Sequence, residues 1–470
     1  MKHLSIQEVA VAVKGEIIRN GSDPVITGVS TDTRTIEPGK LFVPLEGERF
    51  DGHDFLVQAA EKGAVAVLTH KLNKTLPEGV HTILVKDTLT ALQKLSAWYL
   101  RLMNVPIVAV TGSTGKTTTK DMICSVLSEK YSVLKTKGNF NNQIGLPLTL
   151  FGLESYHQAA VLEMGMSGFG EISRLAAIAP PKVAVITNIG VSHIEKLGSR
   201  ENILKAKSEI YDGFHEGCTL IINNDNDLLH REGNRLKQNG VPYSVVRFGI
   251  EADAEYRADD IQALGEAGIE YTLTIGREKY RIRLNVPGKH NVYNSLAAIA
   301  VGRTFGMDMP DIKAGLLKFA SSEMRLNIFS LNPEADIKII DDAYNSSPDS
   351  VKAALKILEE MDGKRKIAIL GDMLEMGDYS REAHMSVGQA VAECRVDVLV
   401  TKGKDSAWIG EGAVRAGMNV NFICHEQSNQ GVINWLKDNL QKGDRILVKG
   451  SRGMHMEKIV SFLKNRRDLE

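Results

Sequence analysis

Thr111-Gly-Ser-Thr-Gly-Lys-Thr-Thr-Thr-Lys120 follows the apolar run Pro106-Ile-Val-Ala-Val110 and opens a stretch of helical character. Strand, glycine-bearing loop and helix start succeed one another without a break, the arrangement that cradles a nucleoside triphosphate. Gly112 and Gly115 remove the side chains that would keep backbone N–H groups from phosphate oxygens. Lys116 supplies a cation to the outer phosphates, and the Thr117 hydroxyl can ligate Mg²⁺. Thr111, Ser113, Thr114 and Thr118 complete the expected ATP-contacting loop, and the helix N-terminus adds the positive end of its dipole. The general phosphate-loop pattern has a further glycine where this chain has Val110, so the loop is a shortened variant.

The chain around this loop alternates strand and helix. Ile107–Val110, Ala159–Met164, Val183–Asn188 and Thr219–Asn223 are apolar runs suited to buried parallel strands. Alternation in Tyr271–Ile275 and Tyr280–Leu284 predicts an antiparallel hairpin, and Asn291–Phe305 a helix. This central unit is assigned to residues 105–321. Before it, residues 1–104 hold short strands at Lys40–Leu45 and Ala64–Leu68 and a helical Leu89–Met103 segment, a small α/β domain. After it, residues 322–470 repeat strand and helix, with strands expected at Ile337–Ile340, Lys366–Leu370, Val396–Val400, Val420–Ile423 and Arg445–Val448. That pattern predicts a Rossmann-like sheet, without the G-x-G-x-x-G turn a dinucleotide would need.

A length of 470 residues fits three such domains, each large enough for its own core. Lys and Arg number 57 against 58 Asp and Glu, a formal net charge of -1, which argues against a nucleic-acid-binding surface. Cys124, Cys218, Cys394 and Cys424 form no C-x-x-C pair, so free thiols in a reducing compartment are expected and a structural zinc site is not. The first twenty residues read as neither signal peptide nor membrane span, which predicts a cytoplasmic protein; nothing calls for an oligomer, so a monomer is expected.

Several residues outside the loop carry candidate chemistry, each with a plainer reading beside it. Glu163 ends an apolar strand, where an open parallel sheet places its ligand crevice, and could hold a phosphate-bound Mg²⁺; alternatively it is a solvated strand end. His193 follows the next strand and could complete the cation site, although Mg²⁺ prefers oxygen and a lone histidine is more often structural. Lys207 lies on a charged helix where sequence alone does not separate it from Lys205. His290, Asn291 and Asn294 could read or stack on an adenine, or Asn291 could cap the helix it begins. Arg325 and Asp342 are either nucleotide contacts or surface charges at loop starts.

Taken together these segments resemble the Mur ligase family along essentially the whole chain. The shortened loop matches the family's T-G-x-x-G-K-T-[ST] form, Glu163-Met-Gly165 its E-M-G segment, and Thr187-Asn-Ile-Gly-Val-Ser-His193 with Ala206-Lys-Ser-Glu209 its next motifs. The resemblance implies the three-domain architecture of that family and ATP as cofactor. It also implies two Mg²⁺ ions and a CO₂-derived carbamate on Lys207 that bridges the second ion, with Thr117, Glu163 and His193 as further ligands. Lys116, Glu163, His193 and Lys207 are the implied catalytic set. His290, Asn291, Asn294, Arg325 and Asp342 are the implied nucleotide contacts, with a hinge near Ser321–Arg325.

Within the family, Asp341–Asn345 with Pro348, Leu370–Gly377 and Lys449–Gly453 look like the ligase that adds D-alanyl-D-alanine to UDP-N-acetylmuramoyl-tripeptide. One departure is visible: the family usually reads N-A-N-P where this chain has Asn345-Ser-Ser-Pro348. Thr31, Asp32, Arg34 and His53 would then face the uridine substrate, with Asn139 and Asn142 on a substrate-facing loop. A folylpolyglutamate synthase-like ligase, or a nucleotide-regulated binding protein without ligase activity, are the alternatives.

Overall fold

The computed structural model describes residues 1–465 apart from 23–24, 49, 73, 76, 322 and 333–335. Residue 322, which begins the third expected domain and lies in the expected hinge, is outside the described residues, as are the five at the C-terminus. The chain packs as two units. One comprises residues 1–111, 130–184 and 208–218; the other comprises 112–129, 185–207 and the chain from Thr219 onward.

In the first unit, a five-stranded sheet runs in the order Glu16–Arg19, His81–Leu84, Ala66–Thr69, Lys40–Phe42, Gly28–Ser30, parallel except at its first pair. Ile36, Phe42, Leu56, Ala59, Ala64, Val67 and Val80 fill one cluster against it. Asp87 caps the helix Thr88–Met103 by accepting the Thr90 N–H at 2.7 Å. That helix buries Tyr99, whose hydroxyl donates to the Leu153 carbonyl at 2.7 Å. The same unit holds parallel strands Ile107–Thr111, Ala159–Glu163 and Val133–Lys135, the first two with every residue buried. In their register Glu163 lies opposite Val110, beside the point where the first strand runs into the phosphate loop.

The second unit carries parallel strands Thr219–Asn223 and Ser244–Gly249, then Tyr256–Ala263 and the hairpin Ile269–Ile275 with Glu278–Leu284. The hairpin is antiparallel with Tyr271 opposite Ile282, as its alternating sequence predicts. The helix expected from Asn291 begins at Lys289.

The remainder of this unit is a six-stranded sheet in the order Asn327–Asn332, Ile337–Asp342, Asp444–Lys449, Arg365–Gly371, Val398–Lys402, Ile423–Glu426, parallel except for its first, antiparallel edge strand. Period-two alternation divides its side chains between two cores. Ile340, Ala368, Leu370, Leu399 and Leu447 pack on the helices Pro348–Glu360 and Ser380–Glu393, while Ile339, Ile367, Ile369, Ile446 and Val448 pack on the opposite face with Val432, Leu436, Ile459 and Leu463. Both faces are covered, which is why these strands read as continuous apolar runs. The strand expected over Val420–Ile423 starts only at Ile423. Val420–Phe422 is a 3₁₀ turn, because the Asn419 side chain accepts the Asn421 N–H at 3.0 Å and curls the backbone before it can extend.

Two glycines fix how closely the helices Ser380–Glu393 and Ala407–Arg415 approach. A Cβ at Gly388 would stand 2.0 Å from the Ile409 carbonyl oxygen, and one at Gly412 would stand 2.3 Å from that of Met385. Backbone on both sides leaves nothing flexible to yield. Gly388→Ala is therefore expected to destabilise the protein by about 1–3 kcal/mol, measured as a lowered midpoint in urea; an unchanged midpoint would mean the helices separate without cost.

Candidate active site

The phosphate loop takes its shape from backbone that only glycine adopts without strain. Gly112 has φ +152° and Gly115 φ +77°, and a Cβ on Gly112 would fall 1.9 Å from Thr187 Oγ1. Thr187 and Asn188, which follow the strand Val183–Ile186, hold the loop from outside. Thr187 Oγ1 donates to the Thr114 carbonyl at 2.6 Å, the Thr114 N–H donates to Asn188 Oδ1 at 2.9 Å, and Asn188 Nδ2 donates to Thr114 Oγ1 at 2.6 Å. The Ser113 N–H reaches the Asn188 carbonyl at 3.0 Å, and Ser113 Oγ accepts the Gly190 N–H at 2.9 Å. Lys116 Nζ turns back to the Gly112 carbonyl at 2.8 Å, which fixes its ammonium against the loop. The strand expected to run to Asn188 stops at Ile186 because the side chains beyond it serve this latch. Neither Thr187 nor Asn188 is among the residues expected to contact ATP; a polar pair closing a wholly apolar strand is the sequence signal that marks them.

A second set of hydrogen bonds ties the loop helix Lys116–Leu127 to the helix Lys289–Thr304. Thr119 Oγ1 donates to Asn294 Oδ1 at 3.0 Å, Asn294 Nδ2 to Asn291 Oδ1 at 3.1 Å, and Asn291 Nδ2 to the Pro287 carbonyl at 2.7 Å. Asn291 is thus no helix cap; Gly288 occupies that position. His290, one residue away, keeps part of its surface exposed, yet its ring is enclosed enough that burial pushes its pKa down to about 4, with Asp342 raising and Lys449 lowering it. The ring is neutral and suited to hydrogen bonding or stacking.

Asp342 ends the second strand of the C-terminal sheet, and Arg325 lies just before the edge strand Asn327–Asn332 that pairs with it. Asp342 Oδ1 accepts the Leu326 N–H at 3.2 Å, its other oxygen pairs with the buried Lys449, and the Arg325 guanidinium lies 4.0 Å from the centre of the Tyr344 ring. Lys449 also donates to the Asn345 carbonyl at 2.9 Å, so the segment Asp342–Asn345 is pinned from beneath. In the departing Asn345-Ser-Ser-Pro348 sequence, Ser347 serves the helix that begins at Pro348: its N–H donates to Ser350 Oγ at 2.9 Å.

Glu163, in the first unit, is 3% exposed, so it is not a solvated strand end. Asn141 Nδ2 donates to Glu163 Oε1 at 2.8 Å, and the Glu163 N–H donates to Thr136 Oγ1 at 3.0 Å, which aims the carboxylate. Asn141 lies between Asn139 and Asn142 but is not among the residues its sequence singles out. Asn139 is exposed, whereas the Asn142 side chain accepts the Ile144 and Gly145 N–H groups at 3.1 and 2.8 Å and shapes its own turn. In the second unit His193 has φ +64°, and its Nδ1 lies 2.6 Å from Glu375 Oε2. A hydrogen bond from His193 holds the Glu375 carboxyl below its usual pKa. The helix Arg200–Ser208 separates its lysines: Lys205 is exposed and Lys207 is 1% exposed.

The N-terminal candidates are in the first unit. Asp32 and Arg34 form a bidentate pair, with Nε to Oδ1 at 2.9 Å and Nη2 to Oδ2 at 2.6 Å. The Arg34 side chain lowers the Asp32 pKa to about 2. Thr31 is half-buried beside them, and His53 is buried, with its Nδ1 2.7 Å from Asp51 Oδ1.

The donors fit Mg²⁺. A hydroxyl at Thr117 and a buried, oriented carboxylate at Glu163 are hard oxygen ligands, and a carbamate on Lys207 would add another. Lys207 is almost wholly buried, and a lysine must be in its neutral amine form to react with CO₂.

Three family descriptions match this chain: "Mur ligase family, catalytic domain" over residues 25–99, "Mur ligase middle domain" over 110–302, and "Mur ligase, glutamate ligase domain" over 324–452. A UDP-N-acetylmuramoyl-tripeptide--D-alanyl-D-alanine ligase of Bacillus subtilis is 42% identical over 98% of both chains. A MurF crystal structure from Acinetobacter baumannii superposes with a TM-score of 0.89 at 30% identity, covering 99% of this chain and 100% of that one. A MurF ligase from Thermotoga maritima in complex with ADP gives 0.80 at 28% identity, covering 93% and 97%. The fold is the three-domain α/β architecture of these enzymes, and the chain belongs to the Mur ligase family.

Proposed function

We propose that the chain is an ATP-dependent ligase of peptidoglycan precursor synthesis. It joins D-alanyl-D-alanine to UDP-N-acetylmuramoyl-tripeptide, giving the pentapeptide, ADP and phosphate. The observation that carries this reading is the end-to-end likeness to a ligase named for that reaction, 42% identical over 98% of both chains. A folylpolyglutamate synthase-like ligase and a binding protein without ligase activity are not favoured beside it.

In the proposed reaction a carboxylate oxygen of the tripeptide attacks the γ-phosphorus, the bond to the β–γ bridging oxygen breaks, and ADP leaves. The dipeptide amine then attacks the acyl phosphate carbonyl, loses a proton, and phosphate departs. Little covalent work falls to the protein; positioning and charge stabilisation dominate. Residues Thr111–Thr118 wrap the phosphates and Lys116 meets the transferring group. His290, Asn291 and Asn294 take the adenine side, and Arg325 and Asp342 the ribose and phosphate side. Thr117, Glu163, His193 and carbamylated Lys207 would hold two Mg²⁺ ions. When bound, these neutralise phosphate charge.

Thr31, Asp32, Arg34 and His53 would serve the uridine nucleotide within residues 1–104, and Asn139 and Asn142 the peptide approach within 105–321. The domain 322–470 would receive the dipeptide and close on ATP about a hinge near Ser321–Arg325. No helix among the described residues is long and apolar enough to cross a membrane. We place the enzyme in the cytoplasm as a monomer.

Release of ADP is expected only when ATP, UDP-N-acetylmuramoyl-tripeptide and D-alanyl-D-alanine are all present; equal turnover without the dipeptide would contradict ligation. Lys207→Ala is expected to lower kcat by about a hundredfold or more, with formate or acetate restoring part of it, whereas Lys205→Ala should leave kcat near wild type. An active Lys207→Ala enzyme, or an inactive one that small carboxylates do not rescue, would reject the carbamate.

A further inference from the structure

A cluster in the N-terminal domain joins His53 to two residues that the ligase reaction leaves without a role, Glu46 and His70. His53 sits in a 3₁₀ turn, Gly52–Phe55, and His70 directly follows the strand Ala66–Thr69. Their rings meet edge to face with centroids 4.4 Å apart. His53 is 2% exposed, and its Nδ1 is engaged by Asp51 at 2.7 Å, so Nε2 is the nitrogen directed into the cluster. Among the described residues that Nε2 has no hydrogen-bond partner, and neither does the equally enclosed Nδ1 of His70. His70 Nε2 is oriented by Glu46 Oε1 at 2.8 Å. One ligand atom from each of the three residues can be chosen so that all lie within 4.8 Å of one another.

Two buried imidazole nitrogens without partners are costly unless something accepts their lone pairs or receives their protons. The His53 ring has its other nitrogen held by the Asp51 carboxylate, the support that fixes tautomer and orientation in histidine-metal sites. We propose that Glu46, His53 and His70 form a binding site for a divalent transition-metal ion of the zinc or cobalt class, with a fourth position open to water. Imidazole donors select such ions over Mg²⁺. Tetrahedral ligand atoms at bonds of about 2.0–2.1 Å stand roughly 3.3–3.4 Å apart. The cluster must therefore tighten, and Glu46, exposed on its turn, is the side chain able to move.

Burial pushes the His53 pKa down, which keeps that ring in the neutral, ligating form. Lys71 is the built-in competitor: its ammonium lies 2.9 Å from Glu46 Oε1 and 2.7 Å from Asp51 Oδ2. Burial raises the Asp51 pKa, but the bonds from Lys71 and His53 outweigh it and hold the carboxyl well below the usual range, so it stays a charged support. The site is read from its own donors, and it shares His53 with the proposed uridine-facing set.

The test is titration of chelator-stripped, full-length protein with Co²⁺, read by visible ligand-field absorption. One equivalent is expected to produce a tetrahedral-type band that one equivalent of Zn²⁺ removes. His70→Gln and His53→Gln should weaken binding about 10–100-fold or abolish it, while Lys71→Met should tighten it. The band should persist in His193→Gln, which separates this site from the Mg²⁺ ligands. Because His53 is buried, circular dichroism checks its variant; if that variant does not fold, the half-buried His70 decides the matter. No band at saturating Co²⁺, a band unchanged in His70→Gln, or a band lost in His193→Gln would overturn the proposal.

Discussion

The hydrogen bonds that Thr187 and Asn188 make to the phosphate loop are the constraint on which the rest of the site depends. The loop is shaped from outside itself, with the Ser113 and Thr114 N–H groups held by Asn188. Asn188 does this with both ends of its amide and its own carbonyl, and Thr187 fills the space that a side chain on Gly112 would need. The arrangement explains why Gly112 tolerates nothing larger and why Lys116 is already directed across its loop. It also links the loop to the C-terminal part of the chain, since a Cβ on Gly190 would meet Asp349 Oδ2 at 2.8 Å, at the first turn of the helix Pro348–Glu360.

From that latch, contacts extend through the second unit. His193 reaches Glu375, and Glu195 packs where a side chain on Gly377 would begin. Thr119, Asn294 and Asn291 couple the loop helix to the helix behind it. Residues of the central and C-terminal parts are therefore set by side-chain hydrogen bonds between segments far apart in sequence. A change at one of them should be felt at the others, as expected for residues in one network.

What the sequence made legible was what is local. Glycine spacing, the strand before the loop and the lysine after it lie within fifteen residues, and the apolar runs of the C-terminal sheet announce a sheet covered on both faces. Lys207 and Lys205 illustrate the limit: two residues apart on one charged helix, they point to different surroundings, and only packing against distant segments buries one and not the other. The hydrogen bonds of Asn141 and Asn188 were not legible for the same reason, since their partners lie 22 and 74 residues away. The misplaced strand at Val420 is a local failure of another kind, where one asparagine side chain competes with strand geometry.

The central claim is that the tripeptide carboxylate, rather than water or the dipeptide, attacks ATP. It is tested most directly by supplying UDP-N-acetylmuramoyl-tripeptide labelled with ¹⁸O in its terminal carboxylate, together with ATP and D-alanyl-D-alanine, and analysing the released phosphate by mass spectrometry. An acyl phosphate leaves one labelled oxygen on each phosphate formed. Phosphate that carries no label while pentapeptide accumulates would contradict the account.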